Sequence, residues 1–427
     1  MPNEGLAMAS PRDPAIRAHT RRVAAVAAEL GARAGLEGWA RQAVRYVALL
    51  HHYPPEFMDS ETVEFVLSEA AGASWAGVRR TEPAYRRRCE DLLGLVRAFH
   101  DHSTLRTDPR QTLLVDLVSA ADLLVQRAEA QPCERGLREQ LVEKLRRQAE
   151  EGLCKPAVVQ ALTGLPRVST DELREVVHRL PVFPAVALKV LAMAAAEDVS
   201  FPKLEAVLSS DQVLAGHLIS VANSCLYSPR QTISTIRQAI SYIGIEATRK
   251  VAIAAAFHPL FASASLKALW KHSLETARLA ELAARRSGKA HPEEAFLAGL
   301  VHDVGRLALG KLGGSVYSRL LEEGCEPVVA EVFLFGREHG AAGAEILRLW
   351  NFPEHLTAAV EAHHEPEAGA VPLAAILYLA EHRTDSKEAP PAPARLRQAE
   401  TAAGGSLESA AAEEPERNFL NALTAVA

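Results

Sequence analysis

The segment Ala298-Gly-Leu-Val-His302-Asp303-Val-Gly-Arg306 decides how this sequence is interpreted. An apolar run typical of a helix ends there in adjacent His and Asp side chains, just before a glycine. Neutral imidazole and carboxylate are ligands for Mn, Fe and Zn ions, and a His-Asp pair at a helix end can supply two of them to one centre. The His-Asp dipeptide alone is common by chance, so its interpretation depends on the residues before and after it in the sequence.

More histidines lie on both sides of this segment. His272 lies 30 residues before His302, at the start of another helical pattern. Downstream come His339, the pair His363-His364 and a late acidic residue, Glu381. The order His, His-Asp, His, His-His and a final acid resembles the HD superfamily of metal-dependent phosphohydrolases.

A more specific resemblance covers residues 173–383, about half of the chain. Five ordered segments resemble the HDOD domain: Leu180-Pro-Val-Phe-Pro-Ala-Val-Ala-Leu-Lys-Val-Leu191, Ser209-Ser-Asp-Gln-Val-Leu-Ala-Gly-His-Leu218, Val221-Ala-Asn-Ser-Cys-Leu-Tyr227, Ile233-Ser-Thr-Ile-Arg-Gln-Ala-Ile-Ser-Tyr-Ile-Gly244 and Trp350-Asn-Phe-Pro353. The resemblance implies an all-helical bundle fused to an HD-like subdomain. It also implies a role in bacterial signal transduction and regulation, often without demonstrated catalysis.

The same resemblance implies a metal site in this half of the chain. Its candidate ligands are His272, His302, Asp303, His339, His363, His364 and Glu381, and Arg306 is a candidate phosphate-binding residue. Two positions depart from the catalytic pattern: Glu381 stands where Asp is usual, and Arg306 stands where Lys is common. The Gly-Tyr-Pro signature of cyclic-dinucleotide phosphodiesterases is absent after His364, which disfavours hydrolysis of cyclic di-GMP.

The N-terminal part of the chain repeats this order of residues. His19 and His51 are 32 residues apart, against 30 for His272 and His302. From His51 to Asp122 the interval is 71 residues, against 79 from His302 to Glu381. Near-equal spacing of like residues predicts a divergent duplication, and this segment resembles a degenerate HD domain.

In this copy His52 occupies the position of the pivotal Asp. The predicted first site is a one-metal site of His19, His51, His52 and Asp122. In both halves the alternative is that the histidines only pack and hydrogen-bond inside a helical core.

Composition limits the classes of protein that need to be considered. The 427 residues are 48% hydrophobic and 23% charged, which excludes disorder over most of the chain. Neither a secretory signal nor a membrane-spanning run is present, so a cytoplasmic location is expected. Five scattered cysteines predict buried or incidental thiols, and a net charge of −6 gives no overall attraction to nucleic acid.

We therefore predict an all-α protein with two HD-like helical domains, the second being an HDOD helical bundle with an HD-like subdomain. The predicted boundaries are 1–160 for the degenerate HD-like domain, 168–385 for the HDOD domain and 386–427 for a low-complexity Ala/Pro/Glu-rich tail.

The predicted function is regulatory and non-catalytic, with the HDOD module as a sensor or docking domain for a protein partner or a small nucleotide ligand. The alternative is a phosphohydrolase that uses a divalent metal, Fe, Mn or Zn, on a nucleotide or other phosphoester. Neither nucleic acid nor a membrane is an expected partner.

Overall fold

The computed structural model describes residues 13–53, 60–71, 75–76, 84–100, 109–131, 136–179, 200–224, 226–263, 266–365, 371–384 and 393–405. Within these ranges the regular secondary structure is α-helical, apart from a short 3₁₀ segment at His258–Phe261. The all-α prediction is confirmed. The family-like segment Leu180–Leu191 and most of the predicted tail (386–392 and 406–427) lie outside the described residues.

The chain divides into two compact units. The N-terminal unit contains the described residues up to 168 together with 313–338. The C-terminal unit contains the described residues among 169–312 and from 339 onward. The sequence did not predict that residues 313–338 would pack with the N-terminal helices. The boundary coincides with a break in one helix, where Gly314 leaves the helical conformation at φ 50°.

The helices of the N-terminal unit include those that carry the predicted first site. They are α1 (Pro14–Arg33), α2 (Gly38–Leu50), α3 (Ser60–Ala71), α4 (Ala84–His100), α5 (Pro109–Ala130), α6 (Leu137–Glu150) and α7 (Pro156–Thr163).

The C-terminal unit continues the chain. Its helices are α8 (Thr170–His178), α9 (Phe201–Ser209), α10 (Gln212–Ala222), α11 (Ile236–Ile243), α12 (Ile245–Phe257), α13 (Lys267–Ser287) and α14 (Pro292–Val301). Next, α15 (Val304–Glu322) passes into the N-terminal unit, to which α16 (Pro327–Phe335) also belongs. The remaining helices of the C-terminal unit are α17 (His339–Leu349), α18 (Glu354–Glu361), α19 (Pro372–Glu381) and α20 (Pro393–Ala403).

The first helix shows why the periodicity of the sequence predicts the fold. The Asp13 carboxylate accepts a hydrogen bond from the Ala15 backbone N–H at 2.9 Å, which caps α1, and Pro14 suits the first helical position. Apolar residues recur here at three- and four-residue intervals, which predicts a buried helix face, and the aliphatic side chains at this spacing are all buried: Ile16, Val23, Val26 and Leu30. Here α1 packs against α2 and α5.

Helices form in two segments where the local composition does not predict them. The Pro- and Gly-containing stretch Gly152–Val168 predicts a connection between domains, but Pro156 occupies the first turn of α7, where the missing N–H costs nothing. The start of the predicted tail contains α20, which packs against α19 and buries Ala399 and Ala403. In both cases burial of apolar side chains overrides a local composition rich in proline and alanine.

A buried arginine attaches α16 to the N-terminal unit. The Arg138 guanidinium donates from Nη1 to the carbonyl oxygens of Leu334 at 2.8 Å, Phe333 at 3.2 Å and Pro166 at 2.9 Å. The Phe333 and Leu334 carbonyls belong to the last turn of α16, where no intrahelical donor remains. Since Arg138 is only 3% exposed, these charge-assisted bonds form away from water.

Replacing Arg138 with Ala is expected to lower the free energy of unfolding of the N-terminal unit by about 2–4 kcal/mol, because buried carbonyls lose a charged donor. Hydrogen exchange of the α6 and α16 amides would measure this loss. Arg146→Ala, on the same helix but half exposed, should change it by less than about 0.5 kcal/mol. If both substitutions lowered the free energy of unfolding equally, the hydrogen bonds of Arg138 would not be what stabilises the N-terminal unit.

Among the described helices, none combines the length and the apolar character that crossing a membrane requires. Cys89, Cys154 and Cys325 are buried and unbridged, as predicted, while Cys133 and Cys225 lie outside the described residues.

Candidate metal centres

The C-terminal unit brings its seven predicted ligands together from the ends of several helices. His302 and Asp303 lie between α14 and α15, and Glu381 is the last residue of α19. The other four are His272 within α13, His339 at the start of α17, and His363 and His364 just after α18.

Two glycines allow the helices to approach closely enough. A Cβ atom on Gly299 would lie 2.6 Å from Cα of Ala277, so α14 crosses α13 with backbones in contact. A Cβ on Gly305 would overlap the carbonyl oxygen of His339 and lie 2.7 Å from the Gly343 backbone nitrogen. These crossings place His302 beside His272 and Asp303 beside His339.

The donor atoms form two overlapping sets. In the first set, His302, Asp303, His363 and Glu381 each offer a nitrogen or oxygen, and these four atoms lie within 4.8 Å of one another. The other set consists of His339, His363, His364 and Glu381, whose donor atoms also lie within 4.8 Å of one another. His363 and Glu381 belong to both sets.

His272 joins the cluster from its more exposed side. Its Nε2 atom lies 3.2 Å from His302 Nε2 and 3.6 Å from Asp303 Oδ2. The longer Glu381 carboxylate, whose orientation the sequence left open, points into the cluster and is fully buried.

Backbone carbonyls fix which ring nitrogen is available for binding. His302 Nδ1 is 2.7 Å from the Gly299 oxygen, and His363 Nδ1 is 2.6 Å from the Val360 oxygen. A carbonyl oxygen only accepts, so in both rings Nδ1 carries the hydrogen and donates it. In the neutral rings Nε2 therefore presents its lone pair to the cluster, which is the usual arrangement of metal-binding histidine.

The hydrogen bonds of His272 show whether the residues of this cluster fit a metal ion. The Thr384 hydroxyl donates to the Glu381 carbonyl at 2.6 Å, so it accepts a hydrogen bond from His272 Nδ1 at 3.0 Å. In a neutral ring, His272 Nε2 then holds a lone pair directed at the lone pair of His302 Nε2. Two lone pairs 3.2 Å apart repel unless a cation or a shared proton lies between them, so this donor set fits a metal ion.

The electrostatics of the cluster keep its ligands in their metal-binding forms. Burial lowers the pKa of His302 to about 4 and holds the pKa values of His363 and His364 well below the usual value, so these rings are neutral at pH 7. Burial alone would raise the pKa of Asp303, but Arg306, His302 and His339 hold it well below its usual value.

Arg306, predicted to bind phosphate, is paired with carboxylates in the structure. Its Nε atom lies 3.0 Å from Asp303 Oδ1, and its Nη2 atom lies 3.9 Å from Glu381 Oε1. The guanidinium therefore offsets part of the negative charge that a bound cation would otherwise neutralise.

The N-terminal unit also assembles its predicted ligands. His19 comes from α1, His51 and His52 follow α2, and Asp122 lies on α5. One donor atom from each lies within 4.8 Å of the others. His51 Nδ1 donates to the Ala48 carbonyl oxygen at 2.6 Å, which repeats the arrangement at His302 and His363.

Sequence reasoning missed three residues that support this first cluster. Glu129 accepts from His19 Nδ1 at 3.1 Å and from Arg22 Nε at 2.6 Å. Gln126 Nε2 donates to both Asp122 oxygens at 2.9 Å. Helical periodicity could have found them, because Gln126 and Glu129 lie one and two turns after Asp122 on α5, and Arg22 lies one turn after His19.

These neighbours determine the charges of the first cluster when no metal is bound. Burial would lower the pKa of His19, but hydrogen bonds to Asp122 and Glu129 raise it to about 9. Burial, followed by the neighbouring His51 and His19, lowers the pKa of His52 to about 4.

Comparison with protein families assigns the fold of the second half. Residues 180–366 match the HDOD domain family. The chain contains an HDOD domain. This HDOD domain includes the described ligands from His272 to His364, while Glu381 follows its matched end.

Known relatives share the HDOD domain at low identity. An uncharacterized protein of Treponema pallidum (strain Nichols) is 22% identical over 192 residues, which are 43% of this chain and 37% of that protein. The chain thus matches little more than a third of that relative's length.

Among solved structures, an HDOD domain protein of unknown function from Geobacter sulfurreducens is 26% identical, with a TM-score of 0.47, over 60% of this chain and 88% of that one. A protein from Marinobacter aquaeolei VT8, provisionally named for signal transduction, is 20% identical with a TM-score of 0.49. The match covers 70% of this chain and 65% of that one. A protein from Shewanella amazonensis SB2B, provisionally named a metal-dependent phosphohydrolase, is 19% identical with a TM-score of 0.41. The match covers 68% of this chain and 98% of that one.

Proposed function

We propose that this HDOD protein is a non-catalytic regulatory protein of the signal-transduction type, and that a divalent metal ion stabilises its HDOD domain. The ligands are those of the second cluster: His272, His302, Asp303, His339, His363, His364 and Glu381. The metal joins helices that are distant in sequence, and the assembled domain acts as a sensor or docking module for a protein partner or a small nucleotide ligand.

The enclosure of the cluster carries this proposal. His302, Asp303, His339, His363 and Glu381 are all 0% exposed. Catalytic metal sites keep a coordination position open to water or substrate, whereas structural sites are closed by protein ligands. A closed site favours a structural and regulatory metal over one that must admit a phosphoester.

One observation favours the alternative, a metal-dependent phosphohydrolase. The side chains of His272 and Arg306 are 15% and 14% exposed, so the partly accessible side of the cluster presents an imidazole and a guanidinium. A phosphate group could be recognised by this pair, since a guanidinium binds phosphate well. A metal ion in the cluster would then neutralise the charge of the phosphate group and supply an activated water.

Metal content and phosphoesterase activity, measured on the same untagged full-length protein, separate the two functions. We expect the wild-type chain to contain Fe, Mn or Zn. His363→Ala removes a residue common to both ligand sets and should lose the fraction bound at the second cluster. Activity on a panel of nucleotides and phosphoesters should stay at background after loading with each of the three metals. Asp171→Asn, whose side chain is 87% exposed, is the matched control and should retain all of its metal.

Turnover of a phosphoester that disappears in His363→Ala would overturn the non-catalytic function and support the alternative. Unchanged metal content in His363→Ala would show that the second cluster does not hold the metal.

A further inference from the structure

We propose that the N-terminal unit contains a second, independent cation site, in which His19, His51, His52 and Asp122 bind a single transition-metal ion of the zinc type. This site uses other residues in the other compact unit, so it goes beyond the function proposed for the HDOD domain.

The spacing of the donor atoms suits one small cation. Asp122 Oδ1 lies 3.0 Å from His19 Nε2 and 3.4 Å from His51 Nε2. Donor atoms in a tetrahedral zinc site lie about 3.3 Å apart, because each is roughly 2.0–2.1 Å from the metal. His52 stands next to both other rings, with centroid distances of 4.9 Å to His19 and 4.2 Å to His51.

One buried nitrogen points to a missing positive partner. His51 is 1% exposed, and its Nδ1 hydrogen is used by the Ala48 carbonyl, so Nε2 of the neutral ring can only accept. Yet Nε2 has no hydrogen-bond donor, and an Asp122 oxygen that also accepts lies 3.4 Å from it. A buried acceptor that faces a carboxylate oxygen is stabilised when a cation lies between the two.

Outer contacts orient three of the four ligands. Glu129 holds His19, the Ala48 carbonyl holds His51, and Gln126 holds Asp122. Arg22 in turn holds Glu129, so the carboxylate that orients His19 is itself fixed. Metal-binding histidines in proteins have such carboxylate or carbonyl partners, which fix the ring and make it a better ligand.

The donor types determine which cation this site prefers. Three imidazoles and one carboxylate suit zinc and related transition ions, whereas Mg²⁺ and Ca²⁺ prefer oxygen ligands. The second cluster differs, because it contributes two carboxylates, from Asp303 and Glu381. The first site, with three imidazoles and one carboxylate, therefore favours a single zinc-type ion.

The test uses the full-length His363→Ala chain, in which both ligand sets of the second cluster lose a shared member. Zinc affinity is measured by competition with a chromophoric chelator, and Co²⁺ substitution reports the coordination number through its visible absorption. We expect about one Zn²⁺ per chain, no binding of Mg²⁺, and the intense visible bands of four-coordinate Co²⁺. Adding Asp122→Asn should weaken zinc binding more than 100-fold.

Two further substitutions in the same chain guard against a folding defect. Glu129→Gln keeps the shape of the side chain and should weaken zinc binding about 10–100-fold through the loss of orientation at His19. Glu143→Gln changes an exposed carboxylate on α6 and should have no effect.

The site would be excluded if the His363→Ala chain bound no zinc, or if it bound zinc equally well with and without Asp122→Asn. If the HDOD domain holds no metal, this would appear separately, as unchanged metal content on replacement of His363 in the otherwise wild-type chain.

Discussion

Replacing His363 by alanine is expected to weaken metal binding by the HDOD domain more than about 100-fold. His363 belongs to both overlapping ligand sets, whereas His302 and His364 each belong to one. Loss of an outer partner of a metal-binding histidine already weakens binding by about 10–100-fold, so loss of the ligand itself should cost more.

This substitution should also destabilise the domain whenever metal is present. A ligand at 100 times its dissociation constant stabilises the folded state by about 2.7 kcal/mol, so a hundredfold loss of affinity removes most of that stabilisation. Metal titration and thermal unfolding, each with and without chelator, would measure both effects. For the C-terminal unit, chelator should lower the melting temperature in the wild-type chain and leave it almost unchanged in His363→Ala.

His355 provides the matched control. It lies on α18, the helix before His363, but its side chain is 54% exposed and contacts Glu294 at 3.0 Å, away from the cluster. His355→Ala should bind metal like the wild type. If chelator lowered the melting temperature of His363→Ala as much as that of the wild type, His363 would not be a ligand.

The second large effect is expected from Gly305→Ala, which should destabilise the C-terminal unit by about 3 kcal/mol or more. The added methyl group would meet backbone atoms of α17 at His339 and Gly343, which cannot move aside as a flexible side chain can. The two helices would have to separate, and the separation would also disturb the 3.0 Å contact between His339 Nε2 and Asp303 Oδ1.

A second glycine in the same unit gives a control of opposite sign. Gly216 lies in α10, and a Cβ added there meets nothing within 4 Å. Because alanine is the better helix former by about 1 kcal/mol, Gly216→Ala should be neutral or stabilising. Urea unfolding followed by hydrogen exchange in α10 and α15 would compare the two. Equal stability of both variants would show that the α15–α17 crossing is looser than the structure indicates.

The candidate sites show how far sequence reasoning reaches. Residue order and spacing were enough to predict which residues form both clusters, because a similar succession of His and acidic residues recurs at similar intervals in the two halves of the chain. The sequence left the direction of Glu381 open, since a carboxylate on a longer side chain can point toward or away from Asp303. It also missed Glu129 and Thr384, which act on His19 and His272 through hydrogen bonds between segments far apart in the chain.

Helices form in two places where the sequence does not predict them, at Pro156 and near the start of the predicted tail from residue 386. Both predictions depended on local composition, and in both places a helix buries apolar side chains. Such burial depends on neighbouring helices, such as α19 against α20, which local composition does not report.

The amino-acid sequence by itself determined the helical class, the HDOD resemblance and the types of candidate ligand, because periodicity, motif order and donor chemistry are local properties. Only the tertiary structure decided that residues 313–338 pack with the N-terminal unit and that the candidate ligands of the HDOD domain are enclosed. It also decided which ring nitrogens face the clusters, through carbonyl partners at Ala48, Gly299 and Val360. Burial and hydrogen-bond direction arise from contacts between helices, and those contacts exist only once the chain has folded.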